Sequence, residues 1–167
     1  MQYPDMEAEQ LKEALSRKFC LPKTYFLPGN GASELFLGIL HALKPKKVIL
    51  PVPSFYGYAY TAKAVGSEVV CVPLKKEEDF LPGEELVLAL QEDAELLFLA
   101  NPNNPTGKLM KPAYLENVLE VCKEKNIYVV LDECFIEFCE KENSIVQRLS
   151  TYRNLLIVRA FTKIYAI

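Results

Sequence analysis

Polar residues that can do chemistry follow three of the apolar runs in this chain. Asn104 comes after the third of five runs, Asp132-Glu133 after the fourth, and Thr162-Lys163 beyond the fifth. Runs of this kind are typical of parallel strands buried on both faces, and the carboxyl ends of such strands share one edge of the sheet. We therefore expect an amide, a carboxylate and an amine to converge there.

This set fits a phosphorylated heteroaromatic aldehyde such as pyridoxal phosphate. Lys163 would hold the aldehyde as an imine, for which its pKa must fall through burial and neighbouring cations. Asp132 would keep the ring nitrogen protonated through a charge-assisted bond, so that the ring stays an electron sink. Asp132 would thus act electrostatically and not as a base, while Asn104 would donate to the phenolate oxygen.

Two further segments could complete such a site. Gly31, Ala32 and Ser33 lie in a small-residue loop that leads into a helical pattern, where backbone N–H groups can receive a phosphate. Phe55 follows the first apolar run and could offer a face to a flat ring. Each feature alone has a simpler explanation, since a lysine near a strand end is commonly a solvated surface residue. The prediction depends on their occurring together.

The loop that carries Asn104 is itself unusual. The segment Asn101-Pro102-Asn103-Asn104-Pro105-Thr106-Gly107 has two prolines that exclude helix and central strand. Its asparagines can turn the backbone and also bind a ligand. A tight connecting turn would explain the cluster equally well, so the loop supports a site only in company with the other motifs.

The alternation of strands and helices predicts an α/β fold. The apolar runs are Lys47–Leu50, Glu68–Pro73, Leu96–Ala100, Ile127–Leu131 and Leu155–Val158. Helical patterns occupy Met6–Phe19, a segment with Leu35, Phe36, Ile39, Leu40 and Leu43, then Ala59–Val65, Glu84–Gln91 and Pro112–Lys125. This order predicts right-handed crossovers and a doubly wound, mainly parallel sheet with helices on both faces.

Composition narrows the class of protein. The 167 residues are 50% hydrophobic with a formal charge of −3, which indicates a globular domain without the basic clusters of a nucleic-acid-binding protein. Five cysteines without a Cys-x-x-Cys pair indicate a reducing, cytoplasmic setting, and the single histidine, His41, argues against a metal site. No apolar run approaches the roughly 18 residues of a membrane span, and no signal peptide is visible.

Five motifs in order resemble those of the fold-type-I pyridoxal-phosphate aminotransferases of class I and II. The similarity is greatest to the branch of histidinol-phosphate aminotransferase and threonine-phosphate decarboxylase, the latter an enzyme of cobalamin biosynthesis. The motifs are Gly29-Asn30-Gly31-Ala32-Ser33-Glu34, Pro53-Ser54-Phe55, Asn103-Asn104-Pro105-Thr106-Gly107, Asp132-Glu133 and Phe161-Thr162-Lys163-Ile164-Tyr165-Ala166-Ile167.

The resemblance implies roles for particular positions. It implies Lys163 as the Schiff-base lysine, Asp132 as partner of the pyridinium and Asn104 as partner of the ring oxygen. It also implies Phe55 as the stacking ring and Thr162 as a further phosphate contact. Backbone groups at Gly31, Ala32 and Ser33 would bind the phosphate.

It further implies pyridoxal 5′-phosphate as cofactor, a phosphorylated amino acid as substrate and a homodimer as the assembly. Tyr58 is a candidate for reaching the phosphate of the neighbouring subunit. The Asn104-Pro105 peptide bond is often cis in the family.

Two positions depart from the family pattern. Phe135 stands where aminotransferases usually carry a tyrosine, so a donor to the ring oxygen is missing. Ala160 stands where Ser or Thr commonly contacts the phosphate. Because threonine-phosphate decarboxylases share the phenylalanine and the Thr-Lys-x-Tyr-Ala-Ile pattern, we favour decarboxylation and keep transamination of histidinol phosphate or a related amino acid as the alternative.

The resemblance covers the central part of such enzymes. We interpret residues 1–167 as a partial cofactor-binding large domain, without the amino-terminal arm and the carboxyl-terminal small domain that carries the substrate-binding arginines. On this interpretation the chain alone is inactive. A different hypothesis is a non-catalytic fragment that self-associates through exposed apolar surface. A nucleotide-binding Rossmann module is disfavoured, because the glycine loop precedes the first long strand.

Overall fold

A computed structural model describes residues 5–91 and 93–165 of the chain. Its α-helices are α1 (Glu9–Phe19), α2 (Ala32–Leu43), α3 (Tyr56–Ala64), α4 (Glu84–Ala89), α5 (Pro112–Glu124) and α6 (Phe161–Ile164). Its strands are β1 (Lys47–Val52), β2 (Glu68–Pro73), β3 (Leu96–Ala100), β4 (Tyr128–Asp132) and β5 (Leu155–Val158). The predicted strands are present, with β1 two residues longer than predicted and β4 shifted by one residue to include Asp132.

The strands of the described part form one parallel sheet in the order β2-β1-β3-β4-β5. Its direction of growth reverses between β1 and β3, which are neighbours in the sheet although β2 lies between them in sequence. Open α/β sheets bind ligands outside the carboxyl ends of their strands at such a switch point. The predicted α/β class and parallel sheet are confirmed.

Each face of the sheet carries its own hydrophobic core. Leu97, Leu99 and Val129 pack on one face in the cluster that contains Leu115 of α5. Leu96 and Phe98 pack on the other face in the cluster that contains Phe36 of α2 and Tyr58 of α3. Successive strand residues alternate between the two clusters, so the strands are buried on both sides and the sheet is doubly wound as predicted.

The chain divides into two compact units, with the division between Asn30 and Gly31. In the first unit, α1 begins at Glu9 and not at the predicted Met6, because the Asp5 carboxylate accepts the backbone N–H groups of Glu7 and Glu9 and forms a turn ahead of the helix. Lys23 Nζ lies 2.7 Å from Glu9 Oε2 in the same unit. The sheet belongs to the second unit.

In the second unit, α3 begins at Tyr56, three residues before the predicted Ala59. Phe55 has an extended backbone and ends the loop that follows β1. The aromatic residues after Phe55 are therefore already helical. Within residues 5–91 and 93–165, none of the helices combines the length and the apolar character that a membrane crossing requires.

Candidate active site

Hydrogen bonds join the carboxyl ends of four strands at one edge of the sheet. The Asn103 amide after β3 donates to Pro53 O after β1 at 3.1 Å, which crosses the switch point. Asn101 N donates to Asp132 O at 2.9 Å, and Glu133 N donates to Val158 O at 2.8 Å. The segments that follow β1, β3, β4 and β5 therefore lie at one edge of the sheet, while the convergence of the Asn104, Asp132 and Lys163 side chains stays a prediction.

The three asparagines of the loop after β3 have different surroundings. Asn101 is buried, and its Oδ1 accepts Met110 N at 2.7 Å. Asn103 Nδ2 also donates to Thr106 Oγ1 at 2.9 Å, so these two side chains hold the loop together. The half-buried Asn104 side chain has no hydrogen-bond partner in the part of the chain that the structure describes. Asn101 Nδ2 also has no partner among the described residues but is fully buried, so the Asn104 amide is the more accessible of the two to a ligand.

The backbone of this region contains cis peptide bonds at Asn104-Pro105, as the resemblance implied, and also at Asn101-Pro102 and Val52-Pro53.

Asp132 is 9% exposed and is held by two donors. The backbone N–H of Cys134 donates to Oδ1 at 2.8 Å, and the phenol of Tyr58 donates to Oδ2. Burial, together with the neighbouring Asp132 charge, raises the pKa of Tyr58. The phenol therefore keeps its proton and acts as a donor, which stabilises negative charge on the carboxylate.

The predicted role of Tyr58 at a neighbouring subunit's phosphate is wrong. Its side chain is 1% exposed and its hydroxyl is directed at Asp132 of its own chain. Tyr56 and Tyr60 on the same helix are the exposed tyrosines, at 77% and 70%. Because its side chain is buried against the sheet, Tyr58 cannot extend its hydroxyl to a neighbouring subunit.

Phe55 packs against Tyr58, the residue whose phenol donates to Asp132. Its ring packs edge-on against Tyr58, with centroids 5.5 Å apart, and it remains half-buried. Gly57 makes this position possible, since a Cβ at Gly57 would lie 2.3 Å from Phe55 Cε1. Phe55 can thus present a face at the site edge only because the residue two positions later lacks a side chain.

The Gly57→Ala variant is expected to bind pyridoxal phosphate roughly 3- to 10-fold more weakly, because the displaced Phe55 ring loses its stacking geometry. Equilibrium dialysis with the purified variants measures this affinity. Gly38→Ala is the matched control, because a Cβ at Gly38 meets nothing within 4 Å. An unchanged affinity in Gly57→Ala would show that the position of the Phe55 ring has no part in binding.

The start of α2 is the predicted phosphate site. Gly31 has φ 87° at the N-cap, and no side chain caps the helix. A Cβ at Gly31 would meet nothing within 4 Å, so no side chain crowds Gly31 at the helix start. Phe36 fixes the helix by packing edge-on against Tyr58 at 5.1 Å. Phosphate binding by these N–H groups stays a prediction.

Lys163 lies in α6, and its ammonium group sits over the ring of Phe135 at 5.7 Å from the centroid. Lys163 and Thr162 are both exposed. The burial that was expected for Lys163 is therefore not supplied by the described residues. Phe135, which cannot donate to a ring oxygen, instead contributes a cation–π contact to the lysine.

Sequence reasoning missed a buried ion pair behind the site. Arg159 Nε and Nη2 donate to Glu133 Oε2 at 3.0 and 2.7 Å, and the Glu133 side chain is fully buried. Ser144 Oγ and Ile145 N complete the set around Glu133 at 2.9 and 3.1 Å. The register Asp132↔Val158 places the next residues, Glu133 and Arg159, side by side, and this is the signal that could have revealed the pair.

Cys134, next to the site, is a half-buried thiol. Burial raises its pKa, and the charge of Asp132 adds to the effect. The same desolvation raises the pKa of Cys122 to about 12. Both thiols are therefore protonated at neutral pH and pack as small apolar groups.

The described residues fit pyridoxal phosphate. They provide an available amide at Asn104, an oriented carboxylate at Asp132, an aromatic face at Phe55, an open helix start at Gly31 and an amine at Lys163. A carboxylate oxygen has two lone pairs, so Asp132 can accept a ring N–H in addition to its present donors. Among residues 5–91 and 93–165, no group of three or more His, Cys, Asp or Glu side chains is arranged to hold a metal ion.

Comparison with known proteins agrees with this fit. The family described as aminotransferase class I and II matches residues 1–167. Threonine-phosphate decarboxylase of Salmonella typhimurium is 33% identical over 99% of this chain and 45% of its own length. Histidinol-phosphate aminotransferase of Symbiobacterium thermophilum is 38% identical over 98% of this chain and 45% of its own length.

A solved structure resembles the whole chain. Histidinol-phosphate aminotransferase from Sinorhizobium meliloti in complex with pyridoxal-5′-phosphate superposes with a TM-score of 0.85 at 26% identity, covering 99% of this chain and 46% of that one. The chain thus spans about half the length of the relatives that it matches.

Proposed function

The chain belongs to the aminotransferase class I and II family, and from that premise we propose that it forms the pyridoxal-phosphate site of an enzyme acting on a phosphorylated amino acid. The observation that carries the proposal is Asp132, a buried carboxylate oriented by Tyr58 and Cys134 at the switch-point edge of the sheet. An unpartnered amide, Asn104, and an amine, Lys163, lie on the segments that follow the flanking strands.

When bound, the cofactor supplies an electron sink for a bond broken at the substrate's Cα. Asp132 would hold the ring nitrogen in its protonated form, and Asn104 would donate to the ring oxygen. Phe55 would restrict the ring to one plane. The backbone at Ala32 and Ser33 would bind the phosphate, and Thr162 would add a hydroxyl contact. Lys163 would hold the cofactor through its amine and would move protons at the substrate's Cα.

The proposed reaction is the decarboxylation of O-phosphothreonine to an aminopropanol phosphate. The bond between Cα and the carboxylate breaks, carbon dioxide leaves without the bonding electron pair, and Lys163 Nζ returns a proton to Cα. Phe135 supports this assignment, because it replaces the tyrosine usual in aminotransferases. The 33% identity to a threonine-phosphate decarboxylase is consistent with it. The 38% identity to a histidinol-phosphate aminotransferase favours transamination as the second candidate.

Incubating the full-length protein with pyridoxal phosphate and carboxyl-labelled O-phosphothreonine separates the two candidates. Release of labelled carbon dioxide without added 2-oxoglutarate is the expected result. Turnover of histidinol phosphate that depends on 2-oxoglutarate, with no carbon dioxide from O-phosphothreonine, would contradict the decarboxylase assignment and establish the transaminase.

For the setting of the enzyme, we propose a cytoplasmic homodimer that serves cobalamin biosynthesis. Free cysteines at Cys20, Cys71, Cys122, Cys134 and Cys139 fit a reducing compartment. Sedimentation velocity of the full-length protein tests the assembly. A single species at the monomer mass over the micromolar range would contradict the dimer.

A further inference from the structure

We propose that Tyr58 is a positioning residue that sets the orientation of the Asp132 carboxylate toward a bound pyridine nitrogen. The proposal rests on the proposed function and goes beyond it, because Tyr58 is not among the groups that would contact the cofactor. It concerns the hydroxyl alone, which donates to Asp132 Oδ2.

Aromatic packing gives the Tyr58 ring a single position. Phe98 of β3 stacks on it at 5.0 Å with an interplanar angle of 12°. Phe36 of α2 meets it edge-on at 5.1 Å, and Phe55 does so at 5.5 Å. With 1% of the residue exposed, the ring cannot move aside. The hydroxyl is therefore held by the core and not by the carboxylate it contacts.

The two donors to Asp132 come from independent elements. Cys134 N belongs to the turn that follows β4 and approaches Oδ1, whereas Tyr58 belongs to α3 and approaches Oδ2. A carboxylate held by the Cys134 N–H alone could rotate about its Cβ–Cγ bond, since that torsion is broad in aspartate. The second donor, on the other oxygen, removes this freedom. Each oxygen keeps a lone pair for a third donor.

The proton in this hydrogen bond lies on Tyr58. Burial raises the pKa of the phenol, and the charge of Asp132 raises it further. Asp132 is consequently the acceptor, and its negative charge stays available to a protonated ring nitrogen. A neutral donor that is fixed by packing orients the carboxylate without cancelling its charge, which a lysine or arginine in the same place would do.

A cofactor analogue isolates this role. In 1-deazapyridoxal phosphate the ring nitrogen is replaced by carbon, so the contact with Asp132 is absent while the aldehyde, ring and phosphate remain. Dissociation constants of both compounds are measured by equilibrium dialysis with the full-length protein and its Tyr58→Phe variant. We expect Tyr58→Phe to raise the dissociation constant of pyridoxal phosphate about 10-fold, the typical effect of a hydrogen bond to a charged group. The dissociation constant of the deaza compound should change less than 2-fold.

Tyr56→Phe is the matched control, because Tyr56 is 77% exposed on the same helix and should change neither affinity. A second variant uses the Asp132→Asn background, in which adding Tyr58→Phe should have no further effect on pyridoxal phosphate. If Tyr58→Phe weakened the binding of both compounds equally, Tyr58 would have a merely structural role and the proposal would be wrong. Unchanged affinities for both compounds would also overturn it. Failure of the unaltered protein to bind pyridoxal phosphate would instead overturn the proposed function itself.

Discussion

Replacing Asp132 with asparagine is expected to lower kcat by about 10²- to 10³-fold, the range found when one preorganised electrostatic contact is removed from an active site. The amide keeps the size of the carboxylate and can still accept the Tyr58 hydroxyl. It cannot hold the ring nitrogen in its protonated form, because it carries no charge. The lost contribution acts on the bond-breaking step, so the substrate KM should change far less than kcat.

Steady-state kinetics with O-phosphothreonine measure this effect, and thermal unfolding checks that the variant is folded. Glu140→Ala serves as the control, because Glu140 is exposed and lies on the same connection after β4. A kcat within 3-fold of the unaltered enzyme would show that Asp132 takes no part in the reaction and serves only as a structural residue at the end of β4.

Arg159→Met is expected to lower the free energy of unfolding by about 3 to 5 kcal/mol. The Glu133 side chain is fully buried, and the guanidinium contacts it through Nε and Nη2. Among the residues that the structure describes, removing that cation leaves the buried carboxylate with Ser144 Oγ and Ile145 N as its donors. Desolvation of an uncompensated charge costs more than the pair contributes when intact.

Urea unfolding separates this loss from an ordinary surface effect. Arg148→Met is the matched control, since Arg148 is half exposed and pairs with Glu116, and such pairs contribute about 1 kcal/mol or less. The double variant Glu133→Gln/Arg159→Met should recover most of the stability, because it leaves no buried charge. A loss in Arg159→Met no greater than in Arg148→Met would contradict the account of the pair.

The sheet was predictable because its strands are continuous apolar runs. Leu96–Ala100 is buried at every position, and no alternation with polar residues obscures it. The ends of these strands then bring Asn104 and Asp132 to the same edge through topology alone. Which asparagine stays available was not predictable, since the distinction between Asn103 and Asn104 depends on hydrogen bonds to Pro53 and Thr106.

The role of Tyr58 could not be read from sequence for a related reason. Aromatic residues occupy positions 55, 56, 58 and 60, so the segment lacks the apolar periodicity that tells the inner face of a helix from the outer one. Only the packing of Phe36 and Phe98 selects Tyr58 for burial. The Glu133–Arg159 pair likewise required the register of β4 against β5.

The exposure of Lys163 could not be predicted from the sequence either, for a different reason. The sequence placed it beyond β5 and predicted a buried amine, whereas the structure has it exposed over the face of Phe135. The end of a strand can be inferred from an apolar run. The burial of a side chain on the short helix that follows, α6, depends on which other segments pack against that helix. Finding which lysine forms an imine with the cofactor tests the position of Lys163 relative to Asp132 directly.

Reduction with borohydride in the presence of pyridoxal phosphate provides that measurement. The full-length protein is incubated with the cofactor, reduced, digested and mapped by mass spectrometry. We expect the pyridoxyl group on Lys163 and its loss in the Lys163→Ala variant, while Lys108→Ala, at the opposite end of the Asn104 loop, should retain the label. A label on another lysine, or equal labelling of Lys163→Ala, would contradict the assignment of this edge of the sheet as the cofactor site.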